Sequence, residues 1–97
     1  MKTFVTLYNF TDQGLHAIKD SVKRAEAAKI AAAQSGVKIK DILWLQGQYD
    51  LVVVAETPDD AAANAFSISM LKAGNLRGQT LRAFTATEMA EILEKVV

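Results

Sequence analysis

The stretch Gly47–Ala55, "GQYDLVVVA", constrains the arrangement of the whole chain, because it joins a turn glycine to a carboxylate and then to an unbroken apolar run. The β-branched residues predict a strand over Tyr49–Glu56. Successive side chains of a strand point to opposite faces of its sheet. Leu51 and Val53 therefore face one side and the neighbouring valines face the other, so this strand needs apolar cover on both sides.

Three further strands surround this one. Runs of β-branched and aromatic residues predict them, and Gly47 turns the chain back from the second strand into the third. The predicted strands are Lys2–Tyr8, Val37–Gln46 and Gly78–Ala86.

The first predicted helix has clear signals at both ends. Thr11 is a good N-cap, Asp12 suits the positive end of the helix dipole, and Gly36 is the expected stop. Apolar residues recur at helical spacing along it, which predicts a core-facing stripe. They are Leu15, Ile18, Val22 and Ala25.

Two more helices follow. Thr57 is the expected N-cap of the second, with Pro58 at its first position and Gly74 at its end. Thr87 is the expected cap of a short last helix, in which the apolar stripe consists of Met89, Ile92, Leu93 and Val96.

The order of elements is βαββαβ with an extra C-terminal helix, which is the pattern of an α+β, ferredoxin-like fold. Right-handed crossovers give a four-stranded antiparallel sheet of order 4-1-3-2, with both main helices on one face. The other face of the central strands is also apolar and must meet something. We expect a second copy of the same sheet, which would give a dimeric α/β barrel. The alternative is that the last helix covers this face within one chain.

Length and composition exclude several classes of protein. The chain has 97 residues, eleven basic and eleven acidic, and no cysteine. We expect one domain over residues 1–97. A thiolate metal site and a cysteine nucleophile are excluded, and no basic stripe points to nucleic acid. Neither a signal peptide nor an apolar run of about 20 residues is present, so a cytoplasmic protein without membrane contact is expected.

Four segments in order resemble the GYD domain family. They are "YNFTDQGL" with "IKDSVKRAEA", "GQYD" after a strand, "TPDD" opening a helix, and "GNLRGQTLRAF" before "TATEMAEIL". Gln48 separates the glycine and tyrosine that are adjacent in the family motif. The resemblance implies a ferredoxin-like, dimeric α/β-barrel protein and says little about activity. Fold relatives include monooxygenases, haem-dependent enzymes, isomerases and effector-binding domains, which is analogy at the level of the fold.

Polar residues that interrupt the apolar strands are expected to meet at one rim of the sheet. This rim would join the end of the first strand, the starts of the third and fourth strands, and the N-terminus of the first helix. We take these residues as candidates for binding a ligand. They are Tyr8, Asn9, Thr11, Tyr49, Asp50, Thr80 and Arg82.

Each candidate also has a structural interpretation. For Asp50 we favour a carboxylate held by hydrogen bonds, from Arg82, Arg77, a threonine or backbone N–H groups, because a buried charge needs partners. The alternative is a carboxylate that orients a ligand or acts as a general base. His16, the only histidine, is expected on the solvated surface rather than as a haem ligand. Trp44 is expected in core or interface packing, with a pocket wall as the alternative.

Two main functions remain open from the sequence. We favour a homo-oligomer, a dimer or larger, that binds a small molecule or only assembles, and we predict no cofactor and no metal. The alternative is a small cofactor-independent monooxygenase- or isomerase-like enzyme with a pocket near Asp50. A domain that acts by recruiting a partner is also open. A cavity of about 300 Å³ or more between helices and sheet, with this aspartate in it, would favour the enzyme.

Overall fold

One antiparallel sheet forms the frame of the protein, as seen in a computed structural model that describes residues 1–97. Its strands are β1 (Lys2–Phe10), β2 (Lys38–Trp44), β3 (Leu51–Thr57) and β4 (Leu76–Ala83). They lie in the order β2-β3-β1-β4, which is the predicted order read from the other edge. The helical segments are α1 (Asp12–His16), a 3₁₀ turn (Ile18–Asp20), α2 (Ser21–Gln34), α3 (Asp60–Lys72) and α4 (Ala86–Leu93). The predicted α+β, ferredoxin-like architecture with a C-terminal helix is confirmed.

The central strand β3 has one buried face and one half-exposed face. Leu51, Val53 and Ala55 are buried, and Phe66 of α3 packs in the same core as Ala55. The side chains between them on β3 point away from the helices and are half-exposed. The helices therefore cover one face of the sheet, and the opposite face, here called the open face, has no second layer from the same chain.

The first predicted helix is broken, and this corrects the sequence-based expectation of one continuous helix. Thr11 is confirmed as the N-cap, because its Oγ1 accepts a hydrogen bond from Gly14 N at 3.1 Å. The same hydroxyl donates to Gly74 O at 2.6 Å, and Thr11 N donates to Asn75 O at 3.1 Å. These bonds hold α1 against the loop before β4, whereas α2 lies over β2. Helix α1 ends at Ala17 and a 3₁₀ turn follows, so α1 and α2 are separate segments, each held by its own contacts.

The break moves three of the four residues of the expected apolar stripe out of the core, and only Ala25 stays on the sheet side, where it lines the cavity described below. Leu15, Ile18 and Val22 are exposed. The face of α2 that reaches the core consists of alanines, with Ala32 fully buried and Ala28 packed against the same cluster. A regular helical period predicts a common face only when the helix is continuous.

The expected cap of the second main helix is also wrong. Thr57 still pairs in the sheet, opposite Lys2, and is fully buried. Its hydroxyl donates to Gly36 O at 3.1 Å instead of capping a helix. Asp59 is the actual N-cap of α3, accepting a hydrogen bond from Ala61 N at 2.8 Å. The strand ends one residue later than predicted, and the helix cap lies two residues later.

The last strand and the last helix both begin two residues earlier than predicted. Leu76 already pairs with Phe10, so β4 begins before Gly78. Thr85, not Thr87, caps α4 in a reciprocal capping box with Glu88. The backbone hydrogen bond from Thr85 lowers the pKa of the Glu88 carboxyl.

The C-terminal helix does not cover the open face. Helix α4 makes no extended contact with any strand, and Leu43 and Leu81 on the open face are 56% and 41% exposed. The apolar side chains of α4 are themselves exposed, including Met89 and Leu93. The sequence-based alternative of an intramolecular cover is therefore wrong. None of the helices has the length and apolar character needed to cross a membrane.

Gly14 supplies a test of the way α1 is attached. A Cβ at this position would overlap Asn75 O. We expect Gly14→Ala to lower the free energy of unfolding by about 1–3 kcal/mol through this overlap, as measured by urea denaturation. Helix propensity alone favours alanine by about 1 kcal/mol, so a stabilised variant would show that α1 is not held against the loop.

Candidate functional site

The carboxylate of Asp50 joins two strands and the loop between β2 and β3. Its Oδ2 accepts a hydrogen bond from Phe10 N at 3.0 Å. Asp50 N donates to Tyr8 O at 2.9 Å, and Leu45 N donates to Asp50 O at 2.8 Å. The end of β1, the end of the β2–β3 loop and the start of β3 are thus tied together by one residue. The half-buried carboxylate of Asp50 has the backbone N–H partner expected of a structural role.

Four other candidates lie near this end of the sheet but point in different directions. Tyr8 is buried on the helix side. Asn9 pairs opposite Arg77, so it belongs to the open face. Thr11 caps α1, and Tyr49 is half-buried in the loop before β3. Their proximity along the sheet does not bring their side chains into one pocket.

Thr80 and Arg82 do not lie at this rim, contrary to the expected placement. Thr80 pairs with Thr6 in the middle of β1, and Arg82 pairs with Phe4 near its beginning. The cause is the early start of β4, which moves both residues along the strand by the length of the extra pairs. Thr80 Oγ1 lies 3.0 Å from Thr6 Oγ1, a hydrogen bond between strands.

Arg82 connects the base of α4 to the sheet. Its guanidinium carbon lies 4.6 Å from the ring centroid of Phe84 and 5.5 Å from that of Phe4. One nitrogen lies 4.0 Å from Glu88, and another donates to Thr3 O at 3.2 Å. The guanidinium group of Arg82 therefore interacts with side chains and backbone of the protein itself.

A cavity of about 300 Å³ lies between the helices and the sheet, and Asp50 is not among the residues that line it. Eighteen residues line it and fifteen of these are hydrophobic. Of the seven residues chosen from the sequence, only Tyr8 lines it. Trp44 forms part of the wall, so the alternative given for this residue is the one observed. The volume is at the lower end of the range for small-molecule sites.

The cavity exists because the side chains that α2 contributes to its wall are short, while those on the sheet side are larger. Ala25, Ala28 and Ala31 form its wall on the helix, while Ile42 and Leu51 lie on the sheet side. An alanine does not fill the space that a leucine or phenylalanine would take in a packed core. The alanine-rich run "AEAAKIAAAQ" is the signal in the sequence for this space.

Tyr8 lies between the cavity and the neighbouring strand. It is 3% exposed, and a Cβ at Gly78 would come within 2.5 Å of its ring, so the glycine makes room for the aromatic side chain. Burial raises the pKa of the Tyr8 hydroxyl above its ordinary value. At neutral pH this group is therefore an uncharged phenol.

Few polar groups reach the cavity. Trp44 Nε1 donates to Ser21 Oγ at 2.9 Å, and Arg24 Nη1 donates to Ala17 O at 2.7 Å. Arg24 Nη2 is buried and has no hydrogen-bond partner. No aspartate, glutamate or histidine lines the cavity. His16 is exposed, as expected, and no three His, Asp or Glu side chains of the chain cluster closely enough to hold a metal ion.

A comparison with protein families agrees with the resemblance seen in the sequence. A family model described as GYD domain matches residues 4–93, nearly the whole chain. No curated protein and no solved structure matches the chain.

The position of Asp50 outside the cavity leads to a specific expectation. Asp50→Ala removes the acceptor of Phe10 N, and we expect the free energy of unfolding to fall by about 1–3 kcal/mol. Glu91→Ala, on the exposed surface of α4, is the control and should change stability by less than about 0.5 kcal/mol. Chemical denaturation measures both, and a fully stable Asp50→Ala protein would contradict the structural role.

Proposed function

The chain belongs to the GYD domain family, and from this premise we propose that it is a homodimeric protein that binds a small apolar molecule. The observation that carries the proposal is the cavity of about 300 Å³ between helices and sheet, with its largely hydrophobic lining. Ligand sites are commonly apolar clefts in which a few polar groups set the orientation of the ligand.

Binding is favoured over catalysis by what lines the cavity. A general base must lie within hydrogen-bond reach of the reacting proton. The cavity wall has no carboxylate or imidazole, and the pKa of Tyr8 is raised rather than lowered. Asp50, the residue on which an enzyme-like alternative depended, binds Phe10 N instead. No observation favours a monooxygenase- or isomerase-like reaction.

The open face supports self-association. Two rows of paired residues cross its centre, and apart from one polar or charged residue at the end of each row they are apolar. One row is Leu43, Val52, Leu7 and Gln79, and the other is Asp41, Val54, Val5 and Leu81. Contiguous exposed apolar surface of this kind is typical of an interface. A second copy of the sheet offers the same apolar rows, and face-to-face packing of sheets is a common arrangement.

The total exposed surface also supports a partner. The chain exposes 6613 Å² and buries only 10 of its 97 residues. A monomeric protein of 10.5 kDa exposes about 5,400 Å² by the usual scaling with mass. The excess of roughly 1,200 Å² is comparable to the area that one protomer contributes to a stable interface, about 800 Å² or more.

The two proposed interactions use opposite faces. The cavity is on the helix side of β3, and the open face is on the other. Dimerisation therefore leaves the cavity accessible in each protomer.

Neighbouring residues on β3 allow the dimer to be tested. We expect Val52→Lys to give a folded monomer in sedimentation velocity, because the new charge would lie in the seam between two sheets. Leu51→Lys places the charge in the cavity wall and should lower the free energy of unfolding by about 3 kcal/mol. A wild-type monomer at micromolar concentration, or a dimeric Val52→Lys protein, would rule out the proposed interface.

Filling the cavity tests the binding site. Trp44 is the only tryptophan and lines the cavity, so its fluorescence should change saturably when 1-octanol is added to the wild-type dimer. We expect Ala28→Leu to weaken this binding about tenfold by occupying the space. Ala33→Leu, on the same helix but outside the cavity lining, is the control. If 1-octanol causes no saturable change, the cavity does not bind apolar molecules and the proposal is wrong.

A further inference from the structure

Arg24 is the only charged side chain that lines the cavity. It projects from the first turn of α2, and its Nη1 donates to Ala17 O at 2.7 Å, where the chain breaks between α1 and α2. That bond fixes one end of the guanidinium group. The direction of the group is thus set by the backbone rather than by a neighbouring side chain.

The other end of the guanidinium group has no protein partner. Nη2 of Arg24 is buried and makes no hydrogen bond, the only such buried side-chain nitrogen or oxygen in the chain. The four ion pairs of the protein join other side chains, so no carboxylate offsets the charge of Arg24. Leaving a buried charged donor unpaired is costly. An acceptor from outside the chain that reaches this nitrogen would remove that cost.

Two neighbouring groups add to the polar end of the cavity. Ser21 lies one helical turn before Arg24 on the same face of α2. Its Oγ accepts the indole N–H of Trp44 at 2.9 Å, which leaves the hydroxyl proton free to donate. Trp44 is 44% exposed, so this end of the cavity is near the solvent. A ligand would meet two donors at the opening and hydrophobic side chains beyond them.

We propose that the cavity binds an amphiphilic carboxylate, with its acid group on Arg24 Nη2 and its apolar body along the alanine face of α2. This inference rests on the proposed binding function and names the class of ligand. A single guanidinium charge with one free nitrogen matches the single charge of a carboxylate. A phosphate monoester would bring a second negative charge into a cavity that has no second cation to receive it.

The volume of the cavity limits the size of the ligand. A volume of about 300 Å³ is at the lower end of the range for small-molecule sites, so a short-chain acid suits the cavity better than a long-chain one. Octanoate has an acid group and a short, unbranched apolar chain. It is therefore the probe of choice, and 1-octanol is the neutral molecule of matching length.

The test compares these two molecules on the full-length dimeric protein, by Trp44 fluorescence and by isothermal titration calorimetry. We expect wild-type protein to bind octanoate about 10- to 100-fold more tightly than 1-octanol, because a charge-assisted hydrogen bond would form with Arg24. Arg24→Gln should remove this preference, so that octanoate and 1-octanol bind the variant with similar affinity. Lys23→Gln, which changes an exposed basic residue on α2 outside the cavity lining, should keep it.

The outcomes separate this inference from the proposed function. If wild-type protein binds 1-octanol as tightly as octanoate, the cavity binds apolar molecules but Arg24 does not select a carboxylate, and the inference is wrong. If neither molecule binds, the proposed function is wrong as well. Circular dichroism and thermal unfolding check that Arg24→Gln folds, and the wild-type comparison decides the matter even if that variant does not.

Discussion

The central strand β3 is apolar on both sides, and one chain has helices to cover only one of them. On the helix side, Leu51 and Val53 reach the core and the cavity. On the other side, Val52 and Val54 lie in a layer without cover. A sheet with one wet face normally alternates between apolar and polar residues, and this strand does not. The cavity on the helix side and the proposed seam on the open side both follow from that departure.

Asp50 is the polar residue that allows such a strand to begin in the right register. A shift of one residue would exchange the two faces of β3. The hydrogen bonds of Asp50 to Tyr8 and Phe10 fix the start of β3 against the end of β1. These bonds support the register in which Leu51 and Val53 face the helices and the neighbouring valines face the open side. Asp50 thus has a structural role in strand pairing, which agrees with its absence from the cavity lining.

The sequence predicted the sheet well and the cavity poorly, for physical reasons. Strand faces follow from a local period of two residues, so the two-sided character of β3 and the strand order could be derived directly. The break at Ala17 depends on hydrogen bonds from Thr11 to Gly74 and Asn75, which are distant in sequence. The cavity exists because alanine side chains are too small to fill the space beneath α2. A hydrophobic pattern indicates which residues are buried, but it does not show whether their side chains fill the core. The orphaned Nη2 of Arg24 depends on both, because Nη1 of the same guanidinium group donates to Ala17 O at the break.

The two proposed interactions are linked through the folded state. Adjacent residues of β3 serve the cavity and the seam, so both surfaces exist only when this strand is correctly paired. A ligand that binds only the folded chain stabilises it by mass action, and so does a second copy on the open face. A chain with only 10 buried residues has a small core of its own, so these contributions matter more here than in a larger domain. Each interaction thereby increases the population of the fold that the other requires, without any contact between the two sites.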